Sequence, residues 1–170
     1  MNATTPRDKT RTKQDYRTPP EFIRAVEKRF GQIVLDLAAK DGDECKPLLA
    51  HITPEEDSLV TPWPTTRHSS GVYFLNPPFA DIAPWAAKCA AWRREGAPGV
   101  VTALLVPASV DAEWWSASVR GAAITYACKS RIKFLGAEDG YPKPLALCVF
   151  DPRHFPTSAC LHLWDWKADA

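Results

Sequence analysis

The chain predicts an α/β fold with a mostly parallel central sheet and an antiparallel addition near its C-terminus. Three observations predict it. Short apolar runs rich in β-branched residues alternate with stretches whose apolar residues recur every three or four positions, the order expected when helices connect parallel strands. The runs are apolar on consecutive residues, which marks buried strands. At 170 residues, 45% of them hydrophobic and 24% charged, the chain can bury one sizeable core but not two full domains, and it is neither disordered nor fibrous in composition.

The elements follow in order. Residues 1 to 15 set Arg7, Lys9, Arg11 and Lys13 against Asp8 and Asp15 with no large apolar anchor after Met1, so a mobile basic arm is expected ahead of a single domain over residues 16–170. Thr18-Pro-Pro-Glu21 reads as a capping box that opens a helix, with Phe22, Ile23, Val26 and Phe30 on one face and Gly31 as its stop. Ile33 to Ala39 reads as a buried strand with one acid in its middle. Lys40 to Ser70 is irregular, broken by Pro47, Pro54, Pro62 and Pro64, with a second capping box at Thr53-Pro-Glu-Glu56 for one short helical turn. Val72 to Leu75 is a strand closed by Asn76-Pro-Pro-Phe79. Pro84 to Glu95 is helical, with Trp85, Cys89 and Trp92 at four- and three-residue spacing.

Val100 to Val106, the most apolar run, is the central strand. Asp111 to Val119 should be helix, Ala122 to Cys128 and Leu145 to Phe150 strands, and Leu161 to Trp166 a last edge strand. Sixteen prolines make the intervening loops stiff.

Lys and Arg number 21 against 20 acids, a net charge of +1, so a nucleic-acid partner has to be held by local patches. The five cysteines, Cys45, Cys89, Cys128, Cys148 and Cys160, are never closer than twelve residues apart, which suggests neither a metal knuckle nor a secreted disulfide framework. Buried reduced thiols in a cytoplasmic protein are expected, with no metal. No segment resembles a signal peptide or a membrane span. A monomer or weak dimer is expected.

Ligands of open α/β sheets bind beyond the carboxyl ends of the strands, so the residues after Leu37, Leu75 and Val106 come first. After Leu75 stand Asn76, Pro77, Pro78 and Phe79. This group suits the activation of an exocyclic amine whose lone pair is delocalised into a purine ring. Such an amine has no useful basicity, and a pair of acceptors serves it better than a strong base. The Asn76 side-chain oxygen and a backbone carbonyl aimed by the Pro-Pro geometry would hold both amine hydrogens. Phe79 would offer a face on which the base stacks, worth roughly 1–3 kcal/mol. An Asn-Pro dipeptide also opens ordinary turns after strands, so the surroundings decide between a turn and a site.

Those surroundings are ordered motifs: Tyr16-Arg17-Thr18-Pro19, Leu35-Asp36-Leu37-Ala38-Ala39, Asp57-Ser58-Leu59 with Trp63, Asn76 to Phe79, Leu104 to Trp115, and Ser130 to Gly136. Together, from about Asp15 to Phe150, they resemble the phage-type (Dam-like) DNA N6-adenine methyltransferases of phages and prophages. The last motif is similar to that family's Gly-Arg-x-x-Phe block, with Ser130 in place of Gly.

The resemblance implies a Rossmann-like methyltransferase fold and transfer of a methyl group from S-adenosylmethionine to adenine N6 in DNA. It implies Asn76 to Phe79 as the catalytic loop, and Tyr16, Thr18, Pro19, Asp36, Ala38, Asp57, Leu59 and Asn76 around the cofactor. The Thr18 hydroxyl and the amides that start its helix are suited to the cofactor carboxylate, and Asp36 or Asp57 to its amino group or ribose hydroxyls. Where common methyltransferases have Gly-x-Gly after the first strand, Ala38 to Gly42 has one glycine, and the small alanines take the close approach.

Double-stranded DNA is the expected partner. Arg120, Lys129, Arg131 and Lys133, with no acid between them, are its candidate phosphate contacts beside the N-terminal arm. Trp114 and Trp115 cannot both face a core from one helix, and Trp115 is the candidate stacking wedge. The same loop also suits another planar amine, in RNA or in a protein glutamine, and a DNA-binding relative without catalysis would share most of these motifs.

Overall fold

The structure is a computed structural model that describes residues 16–39, 50–65, 70–154, 156 and 158–170. The expected N-terminal arm and Cys45 lie outside the described residues. Among the described residues eleven elements follow one another: α1 (Pro20–Phe30), β1 (Ile33–Asp36), β2 (Ala50–His51), β3 (Gly71–Leu75), α2 (Ala83–Glu95), β4 (Val100–Pro107), α3 (Glu113–Ser118), β5 (Ile124–Cys128), β6 (Leu145–Phe150), β7 (Cys160–Trp164) and a 3₁₀ turn (Trp166–Ala168).

The strands form one seven-stranded sheet in the order β2-β1-β3-β4-β6-β5-β7. β1 runs parallel to β2 and β3, and β3 to β4. β6 runs antiparallel to both neighbours, and β7 closes the edge parallel to β5. The sheet is therefore mostly parallel, as the sequence predicts. Its antiparallel member is inserted between β4 and β5. The short strand β2 carries no sequence signal, since two residues are too few to show a period.

Alternate side chains of the buried strands serve two cores. Tyr73, Leu75, Leu104 and Val106 face Cys89 and Trp92 of α2 and Trp115 of α3. Val72, Phe74, Ala103 and Leu105 face Phe22, Ile23 and Val26 of α1, together with Trp164 and Trp166. Helices on both faces explain the consecutive apolar residues of β3 and β4. Gly71 begins β3 at a φ of 131°, and a Cβ there would lie 2.8 Å from Val34, so glycine lets β3 close against β1.

Three local expectations are corrected. Thr18 does not cap α1: Pro19 occupies the cap position, with no side-chain cap, and its carbonyl accepts from the Phe22 and Ile23 amides. Thr53 to Glu56 folds into turns rather than a helix, although the Glu56 carboxylate does accept from the Thr53 amide at 2.9 Å. The last strand ends at Trp164, because Asp165 turns the chain into the 3₁₀ segment that puts Trp166 against Phe22.

Cys89 and Cys148 are buried and Cys128 half-buried, all as free thiols. Burial pushes Cys148 and Cys128 up to about 12 and raises Cys89 well above the ordinary thiol range. Among the described residues no helix is long and apolar enough to cross a membrane, and no group of three His, Cys, Asp or Glu side chains could hold a metal ion.

Candidate active site

A cavity of about 250 Å³ opens at the carboxyl ends of β1 and β3, where the topology of an open sheet leaves room for a ligand. Its walls include Tyr16, Thr18, Asp36, Ala38, Asp57, Asn76 and Pro78, each singled out in the sequence. Pro77 is buried within the loop, Pro19 is the α1 cap, and Leu59 is outside the wall, its amide donating to Asp57 Oδ1 at 3.0 Å. Ala39, Ile52, Pro54 and Trp85 also line the cavity. Trp85 shares the spacing of Cys89 and Trp92, so its periodicity marks a buried face and cannot separate the core from a cavity wall.

Asn76 is held by its nitrogen. Nδ2 donates to the Tyr16 carbonyl at 2.6 Å and to Thr18 Oγ1 at 3.0 Å. A backbone carbonyl only accepts, so it identifies the donor end of the amide and fixes the orientation of the group. The oxygen, Oδ1, is buried and has no hydrogen-bond partner among the described residues. An unpaired buried acceptor costs about 1–3 kcal/mol, a strain that a donor arriving from the cavity would relieve. The Thr18 hydroxyl, expected to serve a helix or a carboxylate, is the positioning partner of Asn76. Pro19 and Pro20 carry no N–H and the next helical amides turn to the Pro19 carbonyl, so the start of α1 offers few donors to an anion.

Asp36 is buried at the end of β1, where Oδ1 accepts from the Ala38 amide at 3.0 Å and shapes the turn toward the cavity. Asp57 reaches the wall from a left-handed backbone position, φ 48°. Phe79 joins a cluster of rings beside the cavity, with centroids 5.8 Å from Tyr16, 5.3 Å from Tyr141 and 6.2 Å from Phe134. Burial, and next the neighbouring Tyr16, raise the Tyr141 hydroxyl above its ordinary range. The Tyr141 contact escapes sequence reading because the residue stands in a loop without a period.

The segment carrying Phe134 is stapled to the segment ahead of α1 by the Leu135 amide, which donates to the Arg17 carbonyl at 2.9 Å. Ser130, which replaces the glycine of the similar family block, has a φ of 70°. That left-handed conformation is the physical reason for a glycine there.

The basic residues divide. Lys129, Arg131 and Lys133 follow β5, at the same end of the sheet as Asn76. Arg120 precedes β5, so the strand's five residues, roughly 17 Å at about 3.3 Å each, lie between it and Lys129. Lys129 pairs with Asp165 at 2.6 Å, an acid that is distant in sequence, and one Arg131 nitrogen donates to the Tyr141 carbonyl at 2.9 Å. Lys133 is exposed.

Trp115 is 7% exposed and packs in the core, with Trp114 the half-buried member of the pair. It borders a second cavity of about 240 Å³, whose walls include Val110, Val119, Arg120, Ala123, Cys160 and Leu161.

No curated protein matches the chain. The family model described as DNA N-6-adenine-methyltransferase (Dam) matches residues 5–145, a span that holds the whole cavity wall, the Asn76 loop and the Ser130 block. On that match the chain belongs to the Dam family of DNA N-6-adenine-methyltransferases.

Proposed function

We propose that the protein methylates the N6 amino group of adenine in double-stranded DNA, using S-adenosylmethionine, after the target base has been flipped out of the duplex. The observation that carries this reading is the Asn76 amide: its nitrogen is pinned and its buried oxygen is unpartnered at the cavity wall. The natural occupant for such an acceptor is an N–H of the substrate. Family membership makes the substrate adenine in DNA, whose exocyclic amine has two such hydrogens.

The cavity fits the cofactor's chemistry. Asp36 and Asp57 offer carboxylates for hydroxyl or amino groups, while Leu37, Ile52, Pro54 and Trp85 supply apolar wall. The volume, about 250 Å³, falls just below the roughly 300–1,000 Å³ usual for small-molecule sites. S-adenosylmethionine supplies, when bound, an electrophilic methyl group on a sulfonium.

The chain's own work is orientation. Asn76 Oδ1 and a backbone carbonyl of the Pro77–Pro78 segment would accept the two amine hydrogens, drawing the nitrogen out of conjugation and freeing its lone pair to take the methyl group by direct in-line displacement, with S-adenosylhomocysteine as the leaving group and one amine proton released to water. Phe79 stacks against the flipped base and returns part of the few kcal/mol that unstacking requires. Lys129, Arg131 and Lys133, at the same end of the sheet, are the phosphate contacts, so affinity falls with salt. Residues 16–170 form one methyltransferase domain, and its loops take part in target reading. The reaction takes place in the cytoplasm of a bacterial host, where the DNA is.

The test is to incubate the protein with methyl-labelled cofactor and duplex DNA and digest the product to nucleosides. Label should appear as N6-methyladenine and weaken with added salt. Label on cytosine, or on protein alone, would overturn the reading.

A further inference from the structure

The loop that carries Asp57 has no regular structure, yet its backbone converges on one side chain. Lys88, half-buried in the middle of α2, donates from Nζ to the carbonyls of Ser58 at 2.6 Å, Leu59 at 3.2 Å and Thr61 at 2.7 Å. An ammonium has three N–H donors, and here each has a carbonyl. The same ammonium lies 4.8 Å from the centroid of the Trp63 ring, and Trp63 Nε1 in turn donates to Ser58 O and Oγ, both at 3.0 Å.

Asp57 completes the arrangement from the other side. Its carbonyl accepts from the Val60 and Thr61 amides and its Oδ1 from the Leu59 amide, while its backbone stays at φ 48°, a conformation unfavourable for a side-chain-bearing residue. Something has to hold it there, and Lys88 is the one cation among the described residues with three bonds into this loop. Burial lowers the Lys88 pKa, and the Asp57 carboxylate pulls it back up, so the two groups feel each other.

We propose that Lys88 is a positioning residue for the cofactor site: by gathering the Ser58, Leu59 and Thr61 carbonyls it locks the loop so that Asp57 faces the cavity. Lys88 itself is absent from the cavity wall, whereas Asp57 and Ser58 of the loop it gathers both belong to it, and Asp57 is the one of the two with a carboxylate through which Lys88 can act on the ligand. The inference rests on the reading of this cavity as the cofactor site.

Lys88→Met tests it, keeping an unbranched apolar stem over Trp63 while removing all three bonds. The dissociation constant for S-adenosylhomocysteine, measured by calorimetry, should rise about tenfold or more, and hydrogen exchange at residues 57–63 should quicken. With saturating cofactor kcat should stay within about twofold, because the group moved is a binding one. Lys88→Gln, a milder change that retains a donor, should show an intermediate loss and carries the test if Lys88→Met does not fold.

A double variant, Lys88→Met with Asp57→Asn, should bind no more weakly than Asp57→Asn alone. Full additivity of the two losses would show that Lys88 does not act through Asp57 and would sink the proposal. Unchanged binding by the Lys88 variants would sink it as well. If the unaltered protein failed to bind S-adenosylhomocysteine, the cofactor reading itself would fall, a result distinct from equal binding by protein and variants.

Discussion

The two cavities, of about 250 and 240 Å³, are nearly equal in volume and differ in what their walls can do. The first gathers two carboxylates, several hydroxyls and a pinned amide from residues 16 to 85, five separate stretches of chain. The second is walled by Val110, Trp115, Val119, Ala123, Ala159 and Leu161 together with Ser116, Arg120, Thr125 and Cys160, and among the described residues no buried orphan acceptor belongs to it. A ligand site is marked by convergent polar groups whose bonds are arranged in advance, and empty volume alone does not mark one. Substitutions on the two sides should therefore differ steeply in effect.

The largest effect is expected at Asn76. Asn76→Ala removes the acceptor aimed at the cavity and should lower kcat for methyl transfer about 100- to 1,000-fold, the usual consequence of losing one preorganised group at the reacting centre. Calorimetric binding of S-adenosylhomocysteine should change far less. Unaltered turnover would show that the orphan oxygen has no part in the chemistry.

A smaller loss is expected one layer back. Thr18→Val keeps the branched shape and deletes the hydroxyl that accepts from Asn76 Nδ2, leaving the Tyr16 carbonyl in place. One hydrogen bond of this kind is worth about 0.5–1.5 kcal/mol, so kcat/KM should fall roughly two- to tenfold. A loss as large as that of Asn76→Ala would give Thr18 a direct contact with the substrate or cofactor.

The smallest effect belongs to the second cavity. Cys160 is half-buried there, its sulfur 3.1 Å from His162 Nε2, whereas Cys89 and Cys148 are fully enclosed. Iodoacetamide at neutral pH should alkylate Cys160 before Cys89, Cys128 or Cys148, as read by peptide mass mapping. The modified protein should keep methyl transfer within about twofold, since Cys160 belongs to the second cavity and no wall residue of the first is altered. A collapse of activity on Cys160 alkylation would erase the contrast between the cavities.

What the sequence discloses follows from where each signal resides. Long periodic or apolar segments, α1, β3, α2, β4 and β6, are legible because burial on both faces imposes an apolar pattern on the residues themselves. The Asn76 loop is legible because its chemistry sits in four consecutive residues. Partnerships between distant residues are not legible. Thr18 precedes Pro and Glu in a pattern shared by caps and non-caps, and only the approach of Asn76, 58 residues away, assigns its hydroxyl. Lys129 lacks a nearby acid in sequence yet meets Asp165.

Arg120 and Lys129, close in sequence, are separated by a strand. Lys88 looks like any polar residue of an amphipathic helix until three carbonyls of a turn are folded over it. Trp115 and Trp114 are adjacent and identical in type, and the tilt of a six-residue helix decides which is enclosed.

The place of β6 bears on how the protein is made. Its antiparallel ladders, from Thr102↔Phe150 to Pro107↔Leu145 on one side and Ile124↔Val149 to Ala127↔Ala146 on the other, join the part of the sheet that holds the cavity to β5 and β7. A nascent chain extending only to Pro144 has already received every residue of the first cavity's wall. At that moment β4, apolar but for Thr102, presents an unpaired edge, and β5 has no route to it. Such an edge is open to pairing with other chains for as long as synthesis takes to deliver the next strand. The site thus depends for its support on a strand that is synthesised after every residue it supports.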